Sequence, residues 1–164
     1  MSSTGDSTSL QTLGVLLERA EAERDEALKA WKDMLLRAAQ AREQAEQLTS
    51  YRSEYQQRWT QQFSRQGTMD IVSCYQNFGG KLDQAIDSQS ALTQHADVRV
   101  ERARALLAEK EMRVAAIVKL IERRRAEMGR AALRQEQKQS DEQAARTALG
   151  GNSGGFNPLS RLQA

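Results

Sequence analysis

Residue types that commonly catalyse reactions or bind metal ions are sparse in this sequence. It contains one histidine, His95, and one cysteine, Cys74. A zinc site needs three or four such ligands, and a single cysteine excludes a disulfide within the chain. The Gly-Gly-Lys run at 79–81 is not a phosphate loop, because Leu82 stands where serine or threonine is needed. We therefore expect no catalytic residues, no metal, no cofactor and no enzymatic activity.

Aromatic side chains form the second chemically distinctive set, because they are clustered. Of the eight aromatic residues, six lie within 28 positions: Tyr51, Tyr55, Trp59, Phe63, Tyr75 and Phe78. Such rings either pack a core or form a binding surface, since exposed aromatics beside an apolar rim often mark interfaces. Tyr55, Trp59 and Phe78 fit packing. Tyr51 fits it less well, because it lies one position off the apolar stripe, and both interpretations stay open.

The elements that position these residues are indicated by an apolar stripe from Leu10 to Gln62. Steps of alternately three and four residues meet 16 positions, of which 13 are apolar or aromatic; Arg24, Arg52 and Gln62 are the exceptions. A mean spacing of about 3.5 residues is typical of a coiled-coil seam. A single helix cannot bury such a stripe, so the rest of the chain should supply its partner.

A second stripe, from Leu82 to Met128, has ten apolar residues at its 14 positions. A short turn between two long amphipathic helices makes them antiparallel neighbours, which places Leu48 near Leu82. The alternative is a parallel dimer through the first stripe, and the matched stripe lengths favour the single chain. We predict an all-α fold, a long two-helix antiparallel coiled-coil hairpin whose second helix is the longer.

Capping residues set the expected boundaries. Thr8 followed by Gln11 resembles a capping box, Gly67 predicts a left-handed helix end, and Thr68 predicts the next N-cap. Gly79 and Gly80 should soften the second helix locally or allow a close approach, without ending it. The expected segments are a disordered 1–7, a first helix at about 8–62, a turn at about 63–68, a second helix at about 68–148 and a disordered Gly-rich tail at 149–164.

Composition excludes several other classes of protein. The chain has 164 residues, of which 28% are charged, and a mean hydropathy of −0.71; this is typical of long helices rather than of a globular enzyme. The net charge is only +2, which argues against a dedicated nucleic-acid binder. The longest apolar run, Val114 to Val118, is far shorter than the roughly 20 residues that span a bilayer, and residues 1–9 do not resemble a secretory signal.

Three runs of residues together resemble the FliJ family of flagellar type III export components. The first comprises Gln44, Leu48, Tyr51 and Tyr55; the second follows Tyr75 and comprises Phe78, Leu82, Ala85 and Ile86; the third is the block from Arg134 to Glu142. The resemblance covers about residues 10–147. It implies an antiparallel coiled coil similar to the γ stalk subunit of rotary ATP synthases. It also implies a cytoplasmic protein that lies at the cytoplasmic face of the flagellar basal body and reaches the membrane through its partners only.

The resemblance also implies partners. The open end of the hairpin would insert into a ring of the export ATPase FliI, and the region nearer the turn would contact the export gate protein FlhA. The ATPase regulator FliH and export chaperones are further expected partners. The gate-contacting pattern of the family falls on Gln44, Leu48, Tyr51, Tyr55, Phe78, Leu82, Ala85 and Gln89. Gln89 stands where some members of the family carry histidine.

The segment from Glu122 to Ala148 outlasts the first helix and has no predicted partner in the chain. A polar helix of this length is marginal in water by itself, so it is either frayed or held by another protein. We expect it to contact the ATPase ring together with the start of the first helix, through Leu10, Leu13, Arg123, Arg124, Arg125, Arg130 and Arg134.

Three functional hypotheses compete. The first is an export stalk, either of the flagellum or of an injectisome with the same architecture. The second is a generic coiled-coil spacer or chaperone without a motor partner. The third is a nucleic-acid binder that uses the segment from Arg123 to Arg134; Glu122 and Glu127 interrupt its charge and no aromatic residues are interleaved, so we expect no nucleic-acid partner.

Overall fold

The computed structural model describes residues 3–63, 65 and 67–150, and these form two helices. Helix α1 spans Ser3–Phe63 and helix α2 spans Met69–Gly150. The described residues contain no strand. The prediction of an all-α fold with two helices, the second longer than the first, is confirmed. Most of the expected Gly-rich tail lies outside the described residues, and its first two positions, Leu149 and Gly150, end α2.

Helix α1 begins at Ser3, five residues before the predicted N-cap at Thr8. Thr8 lies inside the helix, where its carbonyl accepts a hydrogen bond from the Thr12 hydroxyl at 2.9 Å. Only the N–H groups of the first turn of a helix need a capping side chain. Because the helix continues upstream to Ser3, the capping box expected at Thr8 and Gln11 has no helix end to cap.

The connection between the helices differs in one respect from the prediction. The first backbone hydrogen bond of α2 runs from the Val72 N–H to the Thr68 carbonyl, at 3.1 Å, which fits the predicted N-cap. Gly67 does not adopt the predicted left-handed conformation. The predicted left-handed cap was therefore wrong. A Cβ at this position would lie 2.8 Å from the exposed Phe63 ring, which would have to shift.

Residues 16–116 form one compact unit, which we call the hairpin unit. In it the Glu23 carboxylate pairs with Lys110 at 3.0 Å, and further along α1 the Ala41 carbonyl accepts a hydrogen bond from Gln89. Tyr55 then contacts Phe78. Because residue numbers rise along α1 as they fall along α2, the two helices of this unit are antiparallel, as the sequence predicted.

The core of the hairpin unit is a thin seam of small and medium side chains. Its buried apolar residues are Ala20, Ala27, Ala38, Leu82, Leu107 and Val114. Of the predicted stripe positions, all on α1 except Gln62 and all on α2 except Arg124 are buried or half-buried. The periodicity therefore located the face of each helix correctly.

A second compact unit, the terminal unit, contains the described residues up to Val15 and those from Ile117 onward. Leu10, Leu13 and Ile121 are half-buried in it. Every described residue after Met128 is exposed. The part of α2 after Met128 is therefore exposed on all of its faces.

Candidate partner-binding surfaces

Four aromatic rings pack against one another at one end of the hairpin unit. Tyr55 stacks on Tyr75, with ring centroids 5.3 Å apart and planes at 22°. It also meets Phe78 at 4.8 Å and Trp59 at 6.3 Å, while Trp59 meets Tyr75 at 4.8 Å. Positions 55 and 59 are one turn apart on α1, so both rings project towards the same stretch of α2. The packing interpretation holds for these four rings.

Tyr51 takes no part in this ring cluster and is 49% exposed. It lies one helical turn before Tyr55 and beside the seam, where a ring cannot be fully covered by α2. Gln44, two turns earlier on the same side of α1, is exposed and accepts a hydrogen bond from the Gln89 side-chain amide at 3.3 Å. That amide also donates to the Ala41 carbonyl at 3.1 Å. Gln89 is therefore fixed across the seam and leaves Gln44 and Tyr51 accessible.

The residues that α2 contributes to the predicted gate contact differ in exposure. Phe78 is 38% exposed although it touches Tyr55, and Ala85 is half-buried. Leu82 is only 8% exposed, so it supports the surface from below and offers little area to a partner. We call the exposed part of this region the aromatic surface: Gln44, Tyr51, Phe78 and the outer edges of Tyr55, Ala85 and Gln89.

An ion pair across the seam explains one exception in the apolar stripe. The Arg52 guanidinium donates from Nε to Asp83 at 2.9 Å, and its Nη2 lies 3.4 Å from where a Cβ on Gly79 would be. The hydrogen bond from Arg52 lowers the pKa of Asp83, and the same bond raises the pKa of Arg52. Gly79 is buried beside this guanidinium. The helices approach closely here, one of the two expected outcomes, but a Cβ would still be at ordinary van der Waals distance.

The terminal unit contains the residues predicted to contact an ATPase ring. A groove of about 420 Å³ is lined by Ser9, Thr12, Leu13, Leu120, Arg123 and Arg124. Leu13 is thus brought together with two of the predicted arginines, whereas Leu10 is half-buried and does not line the groove. The groove offers an apolar floor with cationic edges.

The remaining predicted arginines lie further along α2. Arg124 pairs with Glu127 at 3.4 Å, and the Arg134 side chain donates to the Arg130 carbonyl at 3.3 Å. Arg123 and Arg125 are exposed, and neither has an ion pair within the part of the chain that the structure describes. The arginines are therefore held loosely or not at all by their own helix, which leaves them available to a partner.

Other sequence features carry no additional site. His95 and Cys74 are both exposed. Among the described residues, no three potential ligand side chains are close enough together to hold a metal ion. No described helix is long and apolar enough to cross a membrane.

Sequence reasoning missed the Arg52–Asp83 pair and an exposed repeat on α2. Asp83 lies one position beside the stripe, and only the register of the two helices brings it to Arg52. The repeat has leucine or arginine at every seventh position, at Leu92, Arg99, Leu106 and Arg113. A search of the positions flanking the stripe at a period of seven would have found it.

Comparisons with known proteins agree with the resemblance found in the sequence. The family model described as Flagellar FliJ protein matches residues 9–153. No match was found among individual curated proteins. The matched range covers most of the 164 residues and includes both helices of the hairpin unit. The chain therefore belongs to the flagellar FliJ protein family and is a flagellar export-related protein.

Proposed function

We propose that this protein is the stalk that couples the export ATPase ring to the export gate of the flagellar type III export apparatus. The terminal unit would insert into the ring of FliI, and the aromatic surface would contact FlhA. FliH and export chaperones are further proposed partners. The protein would work in the cytoplasm, at the cytoplasmic face of the basal body, and would be held there through its partners.

The observation that carries this proposal is the exposed end of α2. All of its residues after Met128 are exposed, and a polar helix without a packed face has little to stabilise it in water. Binding energy from a partner would supply that stabilisation. Arg123 and Arg125, which have no ion pair among the described residues, fit a surface that carries carboxylates, because guanidinium groups bind carboxylates bidentately.

The aromatic surface fits the second contact. Tyr51 and Phe78 present apolar ring edges of 49% and 38% exposure, and aromatic residues are enriched at the energetically important centres of interfaces. The packed rings of Tyr55 and Tyr75 beneath them hold the surface in place. A partner would therefore meet a preformed surface and lose little conformational entropy on binding.

A stalk of this kind contributes no catalytic group. It acts by binding the assembled ring better than the separate subunits, because a ligand shifts an equilibrium only by its difference in affinity for the two states. ATP hydrolysis, which belongs to the ring, would rise because more rings are present. The expected readouts are thus ring assembly and ATPase rate, measured together.

The test uses a truncation and a full-length variant. Truncation after Ile121 should leave the hairpin unit folded by circular dichroism, yet abolish stimulation of the ATPase and assembly of its ring. In the full-length chain, replacing the arginines at positions 123, 125, 130 and 134 by glutamate should have the same effect on stimulation and ring assembly without loss of helix. A matched control reverses four charges that are exposed in the hairpin unit, at Lys29, Lys32, Arg102 and Arg104.

Three outcomes separate the hypotheses. Stimulation lost in the variants and kept in the control supports the stalk. Undiminished stimulation by both the truncated and the charge-reversed protein would overturn it. If the wild-type protein neither stimulates the flagellar ATPase nor binds the gate, the function falls back to a coiled-coil spacer or chaperone, and stimulation of an injectisome ATPase in its place identifies the related system.

A further inference from the structure

The two sides of the seam in the hairpin unit differ in how their charges are used. On one side of α2, Asp83 pairs with Arg52 and Asp97 pairs with Arg42. These aspartates are two heptads apart, so they share that side. Leu92 lies five residues before Asp97, which places it about 140° away around the helix, on the opposite side of the seam. The first side is closed by ion pairs across the helices.

The opposite side is open around Leu92 and contains there a groove of about 270 Å³. Its lining residues are Met34, Arg37, Leu92, His95, Ala96 and Arg99. Met34 and Ala96 are half-buried and form the floor, whereas Leu92 is 58% exposed at the edge. A leucine exposed to this extent beside an apolar floor costs hydration free energy that a partner's side chain would recover.

The two charged side chains that line the groove have the same sign. Arg37 and Arg99 are exposed on α1 and α2, and no carboxylate is among the lining residues. Within the described part of the chain, neither arginine makes an ion pair or hydrogen bond. Asp33, one turn before Arg37 on α1, does not pair with it. The two guanidinium groups are therefore free to bind a partner's carboxylates.

The pattern continues along α2. Leucine and arginine alternate at every seventh position through Leu92, Arg99, Leu106 and Arg113, and Leu106 is 46% exposed. Arg113 lies 3.8 Å from Glu23, a carboxylate that Lys110 already binds at 3.0 Å. At about 1.5 Å per residue, the repeat covers roughly 30 Å of helix, which is the length of a helix of about 20 residues.

We infer that this groove is a docking site for an acidic amphipathic helix of a partner protein. A groove between two antiparallel helices can bind a third helix whose apolar residues recur every three to four positions. Its apolar face would cover Leu92 and Leu106, and its glutamates or aspartates would reach Arg37 and Arg99. Nucleic acid fits less well, because the centre of the groove is aliphatic and no phenylalanine, tyrosine or tryptophan is among its lining residues for bases to stack on.

This site shares no lining residue with the aromatic surface or with the arginine set of the terminal unit. It adjoins the aromatic surface, since Leu92 and Arg37 lie one heptad from Ala85 and Gln44. Variants at Arg37, Leu92 and Arg99 leave every residue of the two proposed surfaces in place, so ATPase stimulation and gate binding should be unchanged in them. The two proposals can fail independently of each other.

The experiment measures binding of two designed peptides to the full-length protein by fluorescence anisotropy. Both probes are helical, about 20 residues long, with leucine at every third or fourth position; one carries glutamate and the other lysine beside the leucines. We expect the glutamate peptide to bind, with an affinity that falls as salt rises, because exposed charge pairs are screened. The lysine peptide should bind much more weakly.

Three variants locate the binding. Leu92→Ala should lower the affinity for the glutamate peptide roughly tenfold, as expected for an apolar anchor at the centre of an interface. The pair Arg37→Glu and Arg99→Glu should reverse the preference, so that the lysine peptide binds better. The control pair, Lys32→Glu and Arg104→Glu, makes the same change of net charge at exposed positions outside the groove and should keep the preference for glutamate.

Two results would overturn the inference. The first is equal binding of both peptides, or a preference that the Arg37 and Arg99 reversals leave unchanged. The second is concentration-dependent self-association of the wild-type chain in sedimentation that Leu92→Ala abolishes, since the occupant would then be a second copy. Circular dichroism of each variant confirms that the helices are intact before binding is scored.

Discussion

The hairpin unit has an alanine-rich stretch around Ala20, Ala27 and Ala38 and an aromatic stretch around Tyr55 and Trp59. The two have the same spacing of seam positions but differ in how fully their side chains are buried. Ala20, Ala27 and Ala38 are between 2% and 6% exposed. Tyr55 and Trp59, at equivalent positions further along α1, are half-buried. A methyl group fits completely beneath the neighbouring helix, whereas a ring is too large for a seam only two helices wide. Side-chain size therefore decides where this coiled coil is closed and where it presents a surface.

The comparison also separates stability from recognition. In the alanine-rich stretch the apolar free energy comes chiefly from the larger residues opposite, Leu107 and Val114, which are 7% and 9% exposed. At the aromatic end, the rings bury more area each but keep exposed edges, which is the property of a binding surface. Substitutions in the first stretch should therefore change stability alone, and those in the second should change binding as well. The following predictions run from the largest to the smallest expected effect on stability.

Leu107→Ala should have the largest effect. Leu107 is 7% exposed, and truncation of a buried leucine costs about 2–5 kcal/mol through lost burial and the cavity that remains. Urea unfolding measures the free energy. The matched control is Leu106→Ala, because Leu106 is the adjacent residue and is 46% exposed. Equal losses in the two variants would contradict the account of the seam.

Ala38→Leu tests whether the alanine-rich stretch is closed tightly. Ala38 is 2% exposed, and a larger side chain in a well-packed site costs about 1–3 kcal/mol because neighbours must shift. Ala39→Leu, at the exposed neighbouring position, should be close to neutral. If Ala38→Leu stabilises the protein in thermal unfolding, the alanine-rich stretch contains space that the structure does not show.

Tyr51→Ala tests the aromatic end. Because Tyr51 is 49% exposed, the free energy of unfolding should fall by about 1 kcal/mol or less, which is below the range for a buried aromatic residue. Its affinity for the soluble domain of the proposed gate should fall by about 2 kcal/mol or more if it is an interface anchor. Gln44→Ala should show the same pattern more weakly.

Tyr55→Ala is the matched comparison for Tyr51→Ala, since Tyr55 contacts Trp59, Tyr75 and Phe78. It should lower both stability and affinity. Thermal unfolding and affinity are measured for all three variants. A Tyr51→Ala protein that loses stability and keeps its affinity would show that the surface is only part of the core.

Low pH should weaken the Glu23–Lys110 pair of the alanine-rich stretch and the Arg52–Asp83 pair of the aromatic stretch. A hydrogen bond from Lys110 holds the pKa of Glu23 below its ordinary value, and one from Arg52 does the same for the pKa of Asp83. A carboxyl whose pKa is lower in the folded state stabilises the fold at pH values above its unfolded pKa, and this contribution is lost as the pH falls through the folded pKa. The melting temperature should therefore fall more steeply below about pH 4.5 for the wild type than for Glu23→Gln or Asp83→Asn.

The control for the acid series is Glu109→Gln, since Glu109 is exposed and has no ion pair among the described residues. Its melting temperature should follow the wild type at every pH. Parallel curves for all four proteins would mean that neither pair contributes to stability.

The periodicity of the sequence was sufficient to predict the seam, because each helix repeats its apolar positions locally. Contacts between flanking residues were harder to predict. The Glu23–Lys110 and Arg52–Asp83 pairs can be predicted only if the register of α1 against α2 is known to within one residue. An error of one residue in the register assigns each side chain a different partner. The Leu92 groove was missed for the same reason, since it exists only where Met34 and Arg37 of α1 meet α2.

The ends of the helices were the least predictable part. Polar residues such as those after Ser3 have only weak preferences for or against a helical conformation. A typical cap residue such as Thr8 can therefore lie at a helix end or inside the helix. The exposure of Tyr51 also required the structure, because the sequence shows that it lies beside the stripe but not how far α2 covers it.

The exposed thiol of Cys74 makes this protein convenient for spectroscopy. It is the only cysteine in the 164-residue sequence, and it precedes Tyr75 of the packed ring cluster. A maleimide fluorophore would therefore attach at one known position without any substitution. Its emission would report contacts near the aromatic end in real time, including the order in which partners arrive during assembly.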